Sequence, residues 1–418
     1  ALRRAMTIDP DLADAAANLV LLLHAMKRHD EALAVAQTAA DRWPDHPLVR
    51  RSLAQALKSA DLIDEAEATC RHALQLEPAS ADGLNLLGSC LVANNRLDEA
   101  RTVLSQALVL APNFSEAHWV RGFVELLSGN LLGGWDHFEW RWKLKILASQ
   151  QARMSRPAWD GQPLDGRTLL VWAEQGLGDT FNFARYLPMA AARGGRVIIE
   201  AQGAVLPLLA RLPGVAGTVA QGEPLPPHDL HIPLLSLPRL FGTSLDTIPA
   251  EMPYLTPEPQ RVARWRVRLA GLVGRRVGLV WAGNRDHGND RHRSLNLDQL
   301  APVLAIPGIA LVSLQMGEPA AQLADWPVLD LGCEISDYED TAAILSQLDL
   351  LISVDTSVAH CAGALGLPVW TLLPFAPDWR WLLDRDDTPW YPTMRLYRQP
   401  GRGQWQPVIQ RLAADLAG

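Results

Sequence analysis

Asp355, Thr356, Ser357 and His360 are the residues of this sequence best placed to do chemistry together. They lie within residues 350–370, whose pattern reads strand, polar turn, short helix, glycine stop and strand again. Open α/β sheets bind ligands at the carboxyl ends of their parallel strands, where this turn is expected. The following helix would offer N–H groups and partial positive charge at its start, and Thr356 and Ser357 add hydroxyl donors. Together these suit a diphosphate. His360 stands one helical turn on, near enough to face the same ligand, although a lone helical histidine is more often a packed or capping residue.

A second turn follows the first apolar strand, in the run Val171, Trp172, Ala173, Glu174, Gln175, Gly176, Leu177, Gly178, Asp179, Thr180. Gly176 and Gly178 are expected to supply backbone angles closed to other residues and to let a ligand approach. Asp179 falls at the helix start, where an N-cap is its simplest role. Residue 181 is Phe181, so the three-glycine dinucleotide fingerprint is incomplete. Asn284, Arg291 and Arg293 belong to a polar loop, 283–293, after another predicted strand, and are candidates for nucleotide-sugar binding. Gln315, after the strand ending at Leu314, is a candidate reader of base or ribose. Asp378, Arg380 and the nearby tryptophans either rim the same cleft or form a structural aromatic cluster.

The elements that must position these residues fall into two textures. Up to about residue 146 the sequence repeats every 34 residues. Pro10, Pro44, Pro78 and Pro112 mark the period, and Asp30-Glu31-Ala32 recurs at 64–66 and 98–100. Leu19, Leu53 and Leu87 keep the register, as do Ala5, Ala39, Ala73 and Ala107. Val20, Ala54, Gly88 and Gly122 place modest or minimal side chains where paired helices approach. This period, with two amphipathic helices per unit, resembles the tetratricopeptide repeat. Each Asp is expected to cap the second helix of its unit, and each Pro to close it. Leu2–Pro10 reads as the tail of an earlier helix, so the sequence is read as a fragment or processed form, without a signal peptide. A degenerate fourth unit starts near Asn113, and Trp135, Trp140 and Trp142 suggest a packing joint.

From about residue 167, short apolar strands alternate with helical stretches, at 169–173, 197–201, 277–282, 310–314, 350–354 and 369–373. That alternation predicts two groups of α/β units with parallel sheets, over 147–260 and 261–418. A helix over 259–272 should join them. The last helix, within 404–418, is expected to return to the first group.

Composition sets limits. The chain has 418 residues, 46 acidic against 38 basic, and a net charge of −8. That balance argues against a nucleic-acid binder. No apolar run reaches the ~20 residues of a spanning helix, so a cytoplasmic protein is expected. The four cysteines show no metal-ligand spacing and read as core residues. Phosphate-loop and nucleophile-elbow motifs are absent from the sequence.

The run Asp355-Thr356-Ser357 through His360, Ala362-Gly363-Ala364-Leu365-Gly366 and Pro368 resembles the nucleotide-diphosphate motif of the ADP-heptose heptosyltransferases, glycosyltransferase family 9. Gly178-Asp179 resembles the first loop of that family, whose Asp is its proposed catalytic base. Together with the repeats, segments 138–142, 278–284, 293–295, 378–381 and 390–392 make the chain similar to tetratricopeptide-repeat proteins that carry such a domain, bacterial flagellin and protein O-glycosyltransferases among them. The resemblance implies an α-helical repeat solenoid followed by a GT-B fold, two Rossmann-like domains facing a cleft. It implies an inverting, metal-independent glycosyltransferase with Asp179 as base. No cofactor is implied beyond the nucleotide-sugar donor, and the repeats would recruit a protein or peptide acceptor. The chain departs from the family in loop 283–293, which holds arginines where heptosyltransferases place a Lys. Arginine can still hold phosphate by paired hydrogen bonds, but heptose as donor sugar does not follow. Two alternatives stand beside this reading: a non-catalytic repeat scaffold with a vestigial nucleotide-binding domain, and a transferase acting on lipopolysaccharide or another glycan.

Overall fold

The structure, a computed structural model, describes residues 12–418. Ala5 and the Leu2–Pro10 segment read above as the end of an earlier helix lie outside the described residues. The chain divides into two compact units, with the boundary between Ala148 and Ser149.

The first unit is a row of antiparallel helix pairs: α1 (Ala13–Ala25) with α2 (His29–Arg42), α3 (Pro47–Ser59) with α4 (Ile63–Leu76), α5 (Ala81–Ala93) with α6 (Leu97–Leu110), and α7 (Ser115–Leu127) with α8 (Leu131–Phe138). The small positions do what the 34-residue register predicts. A Cβ on Gly88 would stand 2.7 Å from Leu104 Cγ, and one on Gly122 would stand 3.0 Å from the Phe138 backbone nitrogen. Both glycines therefore let the helices of a pair close up. Pro44, Pro78 and Pro112 each follow the C-cap residue of a second helix. The acidic residues differ from expectation. Asp30, Asp64 and Asp98 lie inside the first turn of α2, α4 and α6, and make no side-chain cap. Their carboxylates act there on the helix dipole instead.

At the end of this unit Trp135 is buried, and the Arg141 guanidinium is fully buried over the rings of Phe138 and Trp142, at 4.5 and 4.4 Å. Trp140 and Trp142, expected to join Trp135 in a packing joint, are only half-buried. Of the four cysteines, Cys70, Cys90 and Cys361 are buried, but Cys333 is exposed and is not a core residue.

The second unit holds two parallel sheets. The first has the order β3-β2-β1-β4, from β1 (Thr168–Trp172), β2 (Arg196–Ala201), β3 (Val215–Ala220) and β4 (Leu230–Pro233). The helix α9 (Leu177–Ala184) follows β1. Helix α10 (Pro259–Arg268) leads to the second sheet and is shorter than the predicted span. That sheet has the order β10-β9-β8-β5-β6-β7. Its strands are β5 (Arg275–Val280), β6 (Ile309–Ser313), β7 (Leu329–Asp330), β8 (Leu350–Val354), β9 (Val369–Leu373) and β10 (Met394–Arg398). Helix α11 (Tyr338–Leu345) precedes β8 and α12 (Ser357–Ala364) follows it.

β8 shows why such strands read as unbroken apolar runs, since all five of its residues are buried. The last helix, α13 (Trp405–Ala417), does not return to the first sheet. Its face of Trp405, Val408, Ile409, Leu412 and Leu416 packs into the core of the second sheet with Val277, Leu279 and Tyr397. The same helix lies against residues 297–304 and β10. No described helix is long and apolar enough to cross a membrane.

Candidate active site

In each sheet the strand order reverses next to a candidate loop. In the first, β1 lies between β2 and β4; in the second, β5 lies between β8 and β6. Such switch points open a crevice at the carboxyl ends of the strands. The loop after β1 carries Gly176 to Asp179. The loops after β5 and β8 carry Arg293 and Asp355.

The loop after β1 is pinned from the neighbouring strand ends. Gln202 Nε2 donates to the Gln175 carbonyl at 2.6 Å, and Gln221 Nε2 donates to the Ala173 carbonyl at 2.7 Å. Gly176 is the N-cap of α9, with φ of −72°. Neither Gly176 nor Gly178 uses a positive φ, so the expected need for unusual backbone angles is not met. Contact is the reason for glycine at 178: a Cβ there would lie 2.8 Å from His360 Cδ2. Asp179 is three residues into the helix region rather than at the cap itself. It reaches back to accept the Gly176 N–H on Oδ2 at 3.0 Å, the reciprocal half of a capping box.

Helix α12 packs against α9, which brings the two turns together. Thr356 is the N-cap of α12 in an extended conformation, and no side chain caps the first turn. The two hydroxyls have partners within the chain: Thr356 Oγ1 with Ser353 Oγ at 3.1 Å, and Ser357 Oγ with the Tyr338 hydroxyl. The Asp355 carboxylate accepts from Trp381 Nε1 at 2.9 Å, and its Oδ1 lies 3.6 Å from His360 Nε2. Burial alone would raise the Asp355 pKa. The neighbouring His360, the Trp381 N–H and the charge of Arg293 outweigh it and hold Asp355 at about 2.

Arg293 reaches the same turn, donating through Nη1 to the Asp355 carbonyl at 2.8 Å. It is folded beneath Gly283, where a Cβ would stand 2.6 Å from Arg293 Nη2. Asn284 and Arg291 lie on the exposed part of that loop. Asn284 Oδ1 accepts from the Asp286 N–H at 3.0 Å, and Arg291 Nε meets His292 Nε2 at 3.2 Å. Gln315 is buried. Its Oε1 accepts from the backbone of Trp281 and Ala282, at 3.1 and 2.9 Å, and Nε2 donates to the Met316 carbonyl. The Gln315 amide thus closes the end of β5.

Sequence reasoning left Arg380 either at the rim of the cleft or in a structural aromatic cluster; the structure buries it beside Asp179. Arg380 is buried, donates to Asp179 Oδ1 through Nη2 and to Asp378 Oδ1 through Nη1 at 2.8 Å, and lies between Phe183 and Trp379. Burial opposes its charge, but Asp179, Asp378 and Asp355 together push its pKa above the usual value. Its Nε is buried with no hydrogen-bond partner. Two further residues escaped the sequence reading. Tyr391 bonds His360 Nδ1 at 3.0 Å and receives Asn182 Nδ2 at 2.9 Å. The one available signal was that Tyr391 stands in the aromatic run 390–392 that carries part of the family resemblance. Asn182 had none, because a polar residue on a helix face does not announce its partner 209 residues away.

The arrangement is therefore a polar seam between two strand-end loops. One side has an uncapped helix start with a buried histidine and Arg293 nearby. The other side has a carboxylate fixed by a buried arginine. Such a seam can hold an anion and, close to it, a hydroxyl-bearing molecule. No group of three or more His, Cys, Asp or Glu side chains among the described residues could hold a metal ion.

The tetratricopeptide repeat model matches residues 23–74 and 57–120. The chain is similar to Protein FlbA of Caulobacter vibrioides, at 28% identity over 441 residues, covering 89% of this chain and 73% of that protein. Among solved structures it is similar to a glycosyl transferase of family 9 from Veillonella parvula, at 10% identity with a TM-score of 0.43, over 57% of this chain and 88% of the other. It is also similar to the tetratricopeptide-repeat protein TTC0263 of Thermus thermophilus, at 22% identity with a TM-score of 0.30, over 34% of this chain and 83% of the other. Residues 23–120 match the tetratricopeptide repeat and precede an α/β region of two parallel sheets, and the chain is similar over most of its length to Protein FlbA.

Proposed function

We propose that the α/β region is an inverting glycosyltransferase, moving a sugar from a nucleotide-diphosphate donor to an acceptor hydroxyl, and that the repeats recruit a protein acceptor. The observation that carries this reading is the meeting of the turns after β1 and β8, Gly178 against His360, with Asp179 held by Arg380 from the loop after β9. In this reading the donor diphosphate lies at the start of α12, close to His360 and Arg293, and Arg291 and Asn284, exposed on the loop that carries Arg293, bind the same donor. Protein cations balance the charge on the departing diphosphate, so no metal is required. The acceptor oxygen attacks the anomeric carbon as the bond from that carbon to the diphosphate breaks. Asp179 takes the proton from the acceptor hydroxyl. Each Asp179 oxygen already accepts one hydrogen bond, and each carboxylate oxygen can accept another. Nucleotide sugars are cytoplasmic metabolites, and this reading places the protein with them.

That same engagement of Asp179 favours a second reading, in which Asp179 only organises Arg380 and the region binds a nucleotide without turnover. Thermal shift against a panel of nucleoside diphosphates and nucleotide sugars tests the site. One nucleotide should raise the melting temperature of the wild type, and less so that of His360→Ala. Transfer of labelled sugar then separates the readings. Asp179→Asn should abolish transfer while nucleotide binding persists. Full transfer by that variant excludes Asp179 as the base, and binding without any transfer by the wild type supports the scaffold. Label appearing only in a lipid-linked glycan, never in protein, would replace the protein acceptor.

A further inference from the structure

His360 is held closely and keeps only 6% of its surface exposed. Its ring stacks on Trp381 with centroids 5.2 Å apart, and its edge meets the backbone at Gly178. Nδ1 is 3.0 Å from the Tyr391 hydroxyl, and Nε2 faces Asp355 Oδ1 at 3.6 Å. Two glycines clear this space. Gly178 admits the imidazole, and Gly363, one turn along α12, admits the phenol, because a Cβ there would lie 2.6 Å from the Tyr391 ring.

Proton positions follow from the partners. Asn182 Nδ2 donates to the Tyr391 oxygen, which leaves the single Tyr391 proton two acceptors: His360 Nδ1 and the oxygen of the neighbouring Tyr254, which already receives Arg185 Nη2 at 3.2 Å. The imidazole nitrogen is the stronger base and takes it. Burial raises the Tyr391 pKa well above the usual value, so the phenol keeps that proton. On the other side of the ring, ionised Asp355 can only accept, which places a hydrogen on Nε2. Both neighbours therefore impose the same arrangement.

We propose that Tyr391 is a positioning residue: its hydroxyl holds His360 in the tautomer that carries its hydrogen on Nε2, directed toward Asp355 and the start of α12. The proposal rests on the donor-site reading for its consequence, since an anionic oxygen beside Asp355 then meets an N–H rather than a lone pair. The bond that one ring nitrogen makes decides what the other can offer.

Nitrogen NMR of histidine-labelled full chain, at a pH where His360 is neutral, tests the proposal. The wild type should show Nε2–H favoured at least about tenfold, with Nδ1 hydrogen-bonded. In Tyr391→Phe, Nδ1 should move to the resonance of an unbonded ring nitrogen, and the tautomer preference should fall severalfold. A neutral Nδ1–H form in the wild type overturns the proposal, and this outcome needs no variant to fold. An unchanged Nδ1 resonance in folded Tyr391→Phe overturns it equally. Titration with ADP, GDP, UDP and CDP adds the consequence: Kd for the nucleotide that binds should rise about tenfold in Tyr391→Phe. Failure of all four to bind the wild type counts against the donor site, while the nitrogen resonances still decide the role of Tyr391.

Discussion

Arg380 donates a hydrogen bond to the carboxylate of Asp179, 201 residues earlier in the chain, and so ties the loop after β9 to the loop after β1. The guanidinium is buried and its second anionic partner is Asp378, 2.8 Å away. Removing one member of a buried ion pair strands the other. Asp179→Ala should therefore cost about 3 kcal/mol by urea denaturation, toward the low end for such pairs because Asp378 stays in place. A loss below about 0.5 kcal/mol would show that the pair behaves as an exposed one. Activity of any Asp179 variant has to be read against this stability change.

Asp340 should make the second sheet acid-sensitive. Burial would raise its pKa from 3.8, but hydrogen bonds from Ser336, Trp265 and Arg261 outweigh that and hold it at about 2. A carboxylate depressed in the folded state contributes stability that is present above the unfolded value, near 4, and lost as pH falls toward 2. The contribution at neutral pH is about 2 kcal/mol. Denaturation midpoints of wild type and Asp340→Asn should differ at pH 7 and converge by pH 2. Parallel curves over that range would refute the linkage.

Gly178→Ala should damage the seam without changing its charges. Its Cβ would lie 2.8 Å from His360 Cδ2, inside van der Waals contact, and the ring is held by Trp381 and Tyr391. Overpacking of this kind costs about 1–3 kcal/mol. The melting temperature should fall, and nucleotide-induced stabilisation should shrink further than in Gly271→Ala, where a Cβ meets open space.

In the repeats, Glu125 is the residue to remove. It is buried, and its carboxylate accepts from Arg101 and Arg121 at 3.2 and 2.6 Å and from Asn130 at 3.0 Å, joining α6, α7 and the start of α8. Glu125→Ala should lower stability by about 2 kcal/mol or more, as charged hydrogen bonds are lost from a buried site. Arg28→Ala breaks an exposed i,i+3 pair with Glu31 and should change stability by less than about 0.5 kcal/mol. Equal effects in the two variants would contradict the burial argument.

Sequence by itself determined the repeat helices and most of the strands. A 34-residue register needs only local periodicity, so the helix pairs and the glycines between them were legible, and the family model matches the same region. β8 and β9 were legible because strands covered on both faces are continuous apolar runs. β3 was not, because most of its residues are only partly buried or exposed and its pattern carries little signal. Asp355, Thr356 and Ser357 could be placed at a turn for the same local reason. Only the tertiary structure decided their partners. It turned Gln315 inward to close β5, laid α13 on the second sheet, and brought Asn182, Tyr391 and Arg380 to residues far away in sequence. Periodicity reports which face of an element is apolar, whereas a buried hydrogen bond depends on the distance and angle between two elements. That geometry exists only once both sheets have packed.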